Sequence, residues 1–97
     1  MAMVVGLGTI TFRLSDCRSL KEKRKIIKSI ISRSRNGFNI TFAEIDQNDA
    51  HQSAKLGFAM VGNDHRRVNS LMDKLLEFID SMSLAEIIDT DTEIISI

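Results

Sequence analysis

Apolar residues alternate with glycines and threonines from Val4 to Leu14, a two-residue period that predicts a first strand. Asp16–Arg18 reads as a short turn. Ser19-Leu20-Lys21-Glu22 then matches a capping box, in which Ser19 accepts from the Glu22 N–H and the Glu22 side chain reaches back to the Ser19 N–H. The helix it opens runs to about Arg35, with Leu20, Ile27, Ile30, Ile31 and Ser34 on one side at about 100° per residue. Asn36-Gly37 predicts its stop, because glycine accepts the left-handed conformation that ends many helices.

Phe38–Asp46 reads as a second strand, with Phe38, Ile40 and Phe42 on one face and Thr41, Ala43 and Ile45 on the other. Gln47–Ser53 is a polar loop and Ala54–Gly62 a third strand. Asn63-Asp64 caps a second helix that runs to about Ser81, with Val68, Leu71, Met72, Leu75, Ile79 and Met82 as its apolar stripe. Leu84–Ile95 is a fourth strand. The order β-α-β-β-α-β predicts a ferredoxin-like α+β fold, a four-stranded antiparallel sheet with two helices on one face. Both parities of strands 1, 2 and 3 carry apolar residues, so the open face is expected to be covered as well, by a second copy in a homodimer or by a partner.

A chain of 97 residues suits one domain, 1–97, burying roughly 60–65% of its unfolded surface. Hydrophobic residues at 43% and charged residues at 27% match a globular chain and argue against disorder. No proline marks a linker. No apolar run approaches the ~18 residues of a membrane span, and the start lacks the basic residues and cleavage pattern of a signal peptide. The single cysteine, Cys17, excludes an internal disulfide framework, and a reducing cytoplasmic setting is expected.

Net charge is zero, but it is divided between two poles. Residues 1–36 hold nine Lys/Arg against two acids, a net of +7, and residues 72–97 hold one Lys against seven acids, a net of −6. Eight of the thirteen Lys/Arg lie in Arg18–Arg35. Taking Leu20 as the origin, Arg24, Arg35, Lys28, Lys21 and Lys25 fall between about 40° and 140°, a single stripe beside the apolar face. Lys21–Lys25 and Arg24–Lys28 are like-charge pairs at i, i+4, each costing roughly 0.2–0.5 kcal/mol. Lys21, Lys23, Arg24 and Lys25 also crowd the helix start, where the dipole favours anions. Local stability does not select this arrangement, whereas an anionic partner such as RNA phosphate does. The competing explanation is internal: Asp73, Glu77 and Asp80 share a face of the second helix and would answer the stripe across the two helices.

Other candidates carry less. Leu56–Val61 resembles part of the RNA-recognition-motif signature at Gly57, Phe58, Ala59 and Val61, but Leu56, Met60 and Asn63 stand where a base and two aromatics are needed. Phe58 and Met60 read better as packing residues. Gly6-Leu7-Gly8 lacks the third glycine of a dinucleotide fingerprint and lies within a strand, which suits close packing or a bulge. Glu44, Asp46, Asp49 and His51 are metal-ligand types, but their spacing matches no defined site, and a solvated loop is the preferred reading. His65 follows the Asp64 cap and reads as a surface residue. No nucleophile, base and acid stand together, so neither catalysis nor a cofactor is predicted.

The M-V-V-G start, the block Arg18-Ser19-Leu20-Lys21-Glu22-Lys23-Arg24 and the run Asn36-Gly37-Phe38-Asn39-Ile40 resemble the YlxP-like family of small bacterial proteins. Ala43-Glu44-Ile45, Ala54-Lys55-Leu56-Gly57 and Asn63-Asp64 fit it too, so the resemblance spans nearly the whole chain. It implies a ferredoxin-like fold and no established activity, cofactor or catalytic residue. Genes of the family often lie beside those for translation initiation factor 2 and ribosome-binding factor A, which implies a setting in ribosome maturation. Members often carry a Trp in the loop after strand 2, where this chain has Ala50-His51.

The expected protein is a cytosolic binding module that contacts RNA or a ribosomal subunit, with Arg18, Lys21, Arg24, Lys25, Lys28 and Arg35 on phosphates and little base readout. The alternative is a homodimeric structural or small-ligand module with no nucleic-acid role, and a third reading is a metal enzyme built on the Glu44–His51 segment.

Overall fold

The computed structural model describes residues 2–46 and 50–97. The elements are β1 (Val4–Arg13), α1 (Leu20–Gly37), β2 (Thr41–Asp46), β3 (Ser53–Gly62), α2 (His65–Ser81) and β4 (Glu86–Ser96). The strands form one antiparallel sheet in the order β2-β3-β1-β4, which is the ferredoxin-like α+β fold expected from the element order.

Alternation along the strands divides the sheet into two faces. Val4, Gly6, Gly8, Ile10 and Phe12 of β1 and Ala54, Leu56, Phe58 and Met60 of β3 are buried beneath the helices. Ile27 and Ile30 of α1 and Val68, Met72, Leu75 and Ile79 of α2 complete that core. The spacing of these helical residues at three and four positions is the amphipathic repeat seen in the sequence.

The Gly6 of the non-fingerprint pair allows α2 to lie close to the sheet. A Cβ added there would stand 2.6 Å from a Val68 γ-methyl and 2.9 Å from the Met72 sulfur, and one added at Gly62 would stand 2.7 Å from the other Val68 γ-methyl. Val68 is thus seated over two residues that have no side chain.

The helix starts follow the caps. Ser19 Oγ accepts from the Glu22 N–H at 3.1 Å, and an Asp64 carboxylate oxygen accepts from the Arg67 N–H at 3.1 Å. The return bond of the first cap differs from the expectation: the Glu22 carboxylate accepts from the Arg18 N–H at 2.6 Å rather than from Ser19. The end of α1 also differs. No glycine among the described residues has a positive φ, Gly37 is the last helical residue, and Phe38 is extended while its N–H still bonds Ser34 O at 2.8 Å. Phe38 then packs on Phe78 of α2, with ring centroids 5.8 Å apart. This aromatic contact accompanies the turn away from the helix, and ladder pairing in β2 starts only at Thr41, opposite Ala59.

Candidate nucleic-acid interface

Inward packing of Ile27, Ile30 and Ser34 fixes the rotation of α1, and that rotation decides where the charges go. Arg18, Lys21, Arg24, Lys25, Lys28 and Arg35 are all exposed. Arg24, Lys28 and Arg35 line a groove of about 540 Å³ with Ile27, Ile31, Ser32, Asn36 and Glu44. Because Glu44 belongs to β2, Arg24, Lys28 and Arg35 lie on the flank of α1 that faces the β2 edge of the sheet.

The opposite flank of α1 faces the other helix. Glu22 and Ile26 share a second hollow with Asp80 and the 83–86 segment that follows α2. Asp80, from the acidic face of α2, therefore lies on the flank of α1 away from the groove that Arg24, Lys28 and Arg35 line. None of the six cations has a carboxylate within 4.0 Å among the described residues.

Lys23 is the residue that sequence reasoning missed. It belongs to the same basic run, yet it is 1% exposed. Its Nζ donates to Ala50 O at 2.7 Å and Ser53 O at 3.1 Å, and lies 3.0 Å from Glu44 Oε2. Glu44 Oε2 is itself buried and meets Lys23 as an ion pair rather than with hydrogen-bond geometry. An ammonium so enclosed requires its carbonyl and carboxylate partners to offset the loss of water. Lys23 thus ties α1 to β2 and to the start of β3. The signal was present: Lys23 stands three residues after Leu20 and four before Ile27, inside the apolar stripe.

The remaining candidates are placed as follows. Glu44 is engaged by Lys23, while Asp46 and His51 are exposed and Asp49 lies outside the described residues. Among the described residues no three His, Cys, Asp or Glu side chains are grouped to hold a metal. Cys17 is buried, and its Sγ donates to Ser19 O at 3.3 Å. Phe58 is buried on the helix side of the sheet, tilted against Phe42 with centroids 6.3 Å apart. No aromatic residue stands on the open face among the described residues, so the sheet offers no platform on which bases stack. No helix among them is long and apolar enough to cross a membrane.

The fold defines the class: a small α+β protein of the ferredoxin-like type. The chain belongs to the family described as "Protein of unknown function (DUF503)", whose model matches residues 5–92. It is 33% identical over 90 residues to the uncharacterized protein YlxP of Bacillus subtilis (strain 168), covering 93% of this chain and 98% of that one. Among solved structures it is similar to the de novo designed protein Foldit4, with a TM-score of 0.55 at 14% identity over 98% of this chain and 96% of that one. It is also similar to the structural-genomics protein YJCS, with a TM-score of 0.53 at 13% identity over 92% and 96% of the two chains. At such identities the likeness concerns the fold alone.

Proposed function

We propose that this protein binds RNA, free or within a ribosomal particle, by laying the exposed flank of α1 against the phosphate backbone. The observation that carries the reading is the unpaired state of the stripe. Arg18, Lys21, Arg24, Lys25, Lys28 and Arg35 are exposed, and none has a carboxylate within 4.0 Å among the described residues. Concentrated like charge costs stability within the helix, and phosphates relieve that cost while releasing their counterions. With no aromatic on the open face among the described residues, the contact is to backbone rather than to bases.

The test is binding of a labelled single-stranded RNA by fluorescence anisotropy at 50–200 mM salt. Affinity falls steeply as salt rises, with a log–log slope of about −0.7 for each phosphate neutralised. Lys21→Glu with Lys25→Glu weakens binding and flattens the slope. Binding that is indifferent to salt, or to that pair of substitutions, rejects the reading. Co-sedimentation with ribosomal subunits at low and high salt then asks whether the RNA is ribosomal.

A further inference from the structure

The sheet face opposite the helices holds most of the exposed hydrophobic surface. Of the seven large hydrophobic side chains left exposed among the described residues, Met3, Ile45, Val61, Ile95 and Ile97 lie on it. Met3 and Ile97 extend the β1–β4 ladder, exchanging backbone bonds of 3.4 and 2.8 Å, and so continue the alternation of Val5 and Ile95.

The face is graded from an apolar end to a charged one. Val5 of β1 pairs with Val61 of β3 on one side and Ile95 of β4 on the other. Leu7 stands between Ala59 and Glu93, Thr9 between Gly57 and Asp91, and Thr11 between Lys55 and Asp89. Arg13 ends the outward row of β1 and pairs with Glu86 of β4 at 3.5 Å, whereas the other cation among these rows, Lys55, is on β3 and Asp89, Asp91 and Glu93 are on β4. Two strand spacings, roughly 10 Å, separate Lys55 from Asp89 within one sheet. Asp46 is the ladder neighbour of Lys55 on β2, yet Lys55 has no carboxylate within 4.0 Å among the described residues.

We infer that a second copy of this chain covers the face, related by a two-fold axis that runs along β1 between the two stacked sheets. That rotation keeps every row in register and exchanges β3 with β4. It sets Lys55 opposite Asp89 of the second copy and Val61 opposite its Ile95, while Val5 and Leu7 meet their own equivalents. Each contact off the axis occurs twice, as an isologous interface requires, and the self-contacts of Val5 and Leu7 lie on the axis. Other axes lose this match. An axis between β1 and β3 sets Lys55 over Thr11, and an axis across the strands sets the acids of β4 over each other. Both copies of α1 remain on the outer surfaces, so the assembly leaves the basic stripes free and stands or falls separately from the RNA reading.

Sedimentation velocity of the full chain from low to high micromolar concentration tests the assembly. The expected particle has twice the 10.9 kDa mass of one chain. Lys55→Glu or Asp89→Lys alone weakens association by about tenfold or more, because like charges then face each other. The two substitutions together restore association to within a few-fold, while circular dichroism shows wild-type secondary structure in all three variants. A monomer at every concentration overturns the inference. So does a dimer indifferent to Lys55→Glu, or a double variant no better than either single one.

Discussion

The Lys23 ammonium lies 3.0 Å from Glu44 Oε2, beneath a helix whose other cations face solvent. One short basic run therefore serves two ends. Lys23 points inward and joins α1 to β2 and the start of β3, and its sequence neighbours Lys21, Arg24 and Lys25 point outward. The pairing leads to the first prediction. Lys23→Met lowers the unfolding free energy by about 3–5 kcal/mol, since it leaves a buried carboxylate oxygen and two carbonyls without their cation. Adding Glu44→Leu recovers part of the loss. Urea unfolding of the two single variants and the double variant measures the coupling, and additive effects would show that the pair contributes nothing.

The exposed stripe behaves in the opposite sense. Lys21→Glu replaces a like-charge pair with a Glu–Lys pair at i, i+4 and puts an acid in the first turn, where the dipole favours it. The substitution should raise stability by about 0.5–1 kcal/mol. The gain shrinks with added salt, and thermal unfolding at two ionic strengths checks it. The same substitution weakens RNA binding if the proposed function holds, so stability and binding move in opposite directions.

Glycine positions separate by what surrounds them. Gly6→Ala places a Cβ 2.6 Å from Val68 and 2.9 Å from Met72 and forces α2 outward. Overpacking of this kind costs about 1–3 kcal/mol. Gly37 is helical, has no positive φ and has nothing within 4 Å of an added Cβ. Gly37→Ala is therefore expected to stabilise by about 0.4–1 kcal/mol through the unfolded chain. Paired denaturant melts of the two variants test this contrast directly.

The caps give a smaller, local effect. Asp64→Ala removes the acceptor of the Arg67 N–H and costs about 1 kcal/mol, and Ser19→Ala removes the acceptor of the Glu22 N–H at similar cost. Amide exchange at Arg67 and Glu22 accelerates in the respective variants if the caps hold these N–H groups as described.

The sequence by itself determined the element order, both helix starts and the alternation along the first two strands. These depend on local properties: a two-residue or 3.6-residue repeat, and a Ser or Asp placed to accept an orphan N–H. The Ser19-to-Glu22 bond was legible for that reason, and so was the exposure of Lys21 and Lys28. The end of α1 was less legible, because Phe38 packs against Phe78, forty residues away in the chain. Tertiary structure alone decided the roles of the charges. Lys23 and Lys21 are chemically identical and two residues apart. Only the approach of Glu44, Ala50 and Ser53 gives Lys23 enough acceptors to be buried as a cation. The acids of α2 shared an expected surface with the basic stripe until packing turned Ile26 toward α2 and Arg24, Lys28 and Arg35 toward the β2 edge. Periodicity places residues on a face, but the rotation of that face against its neighbours comes from burial, which is a property of the whole fold.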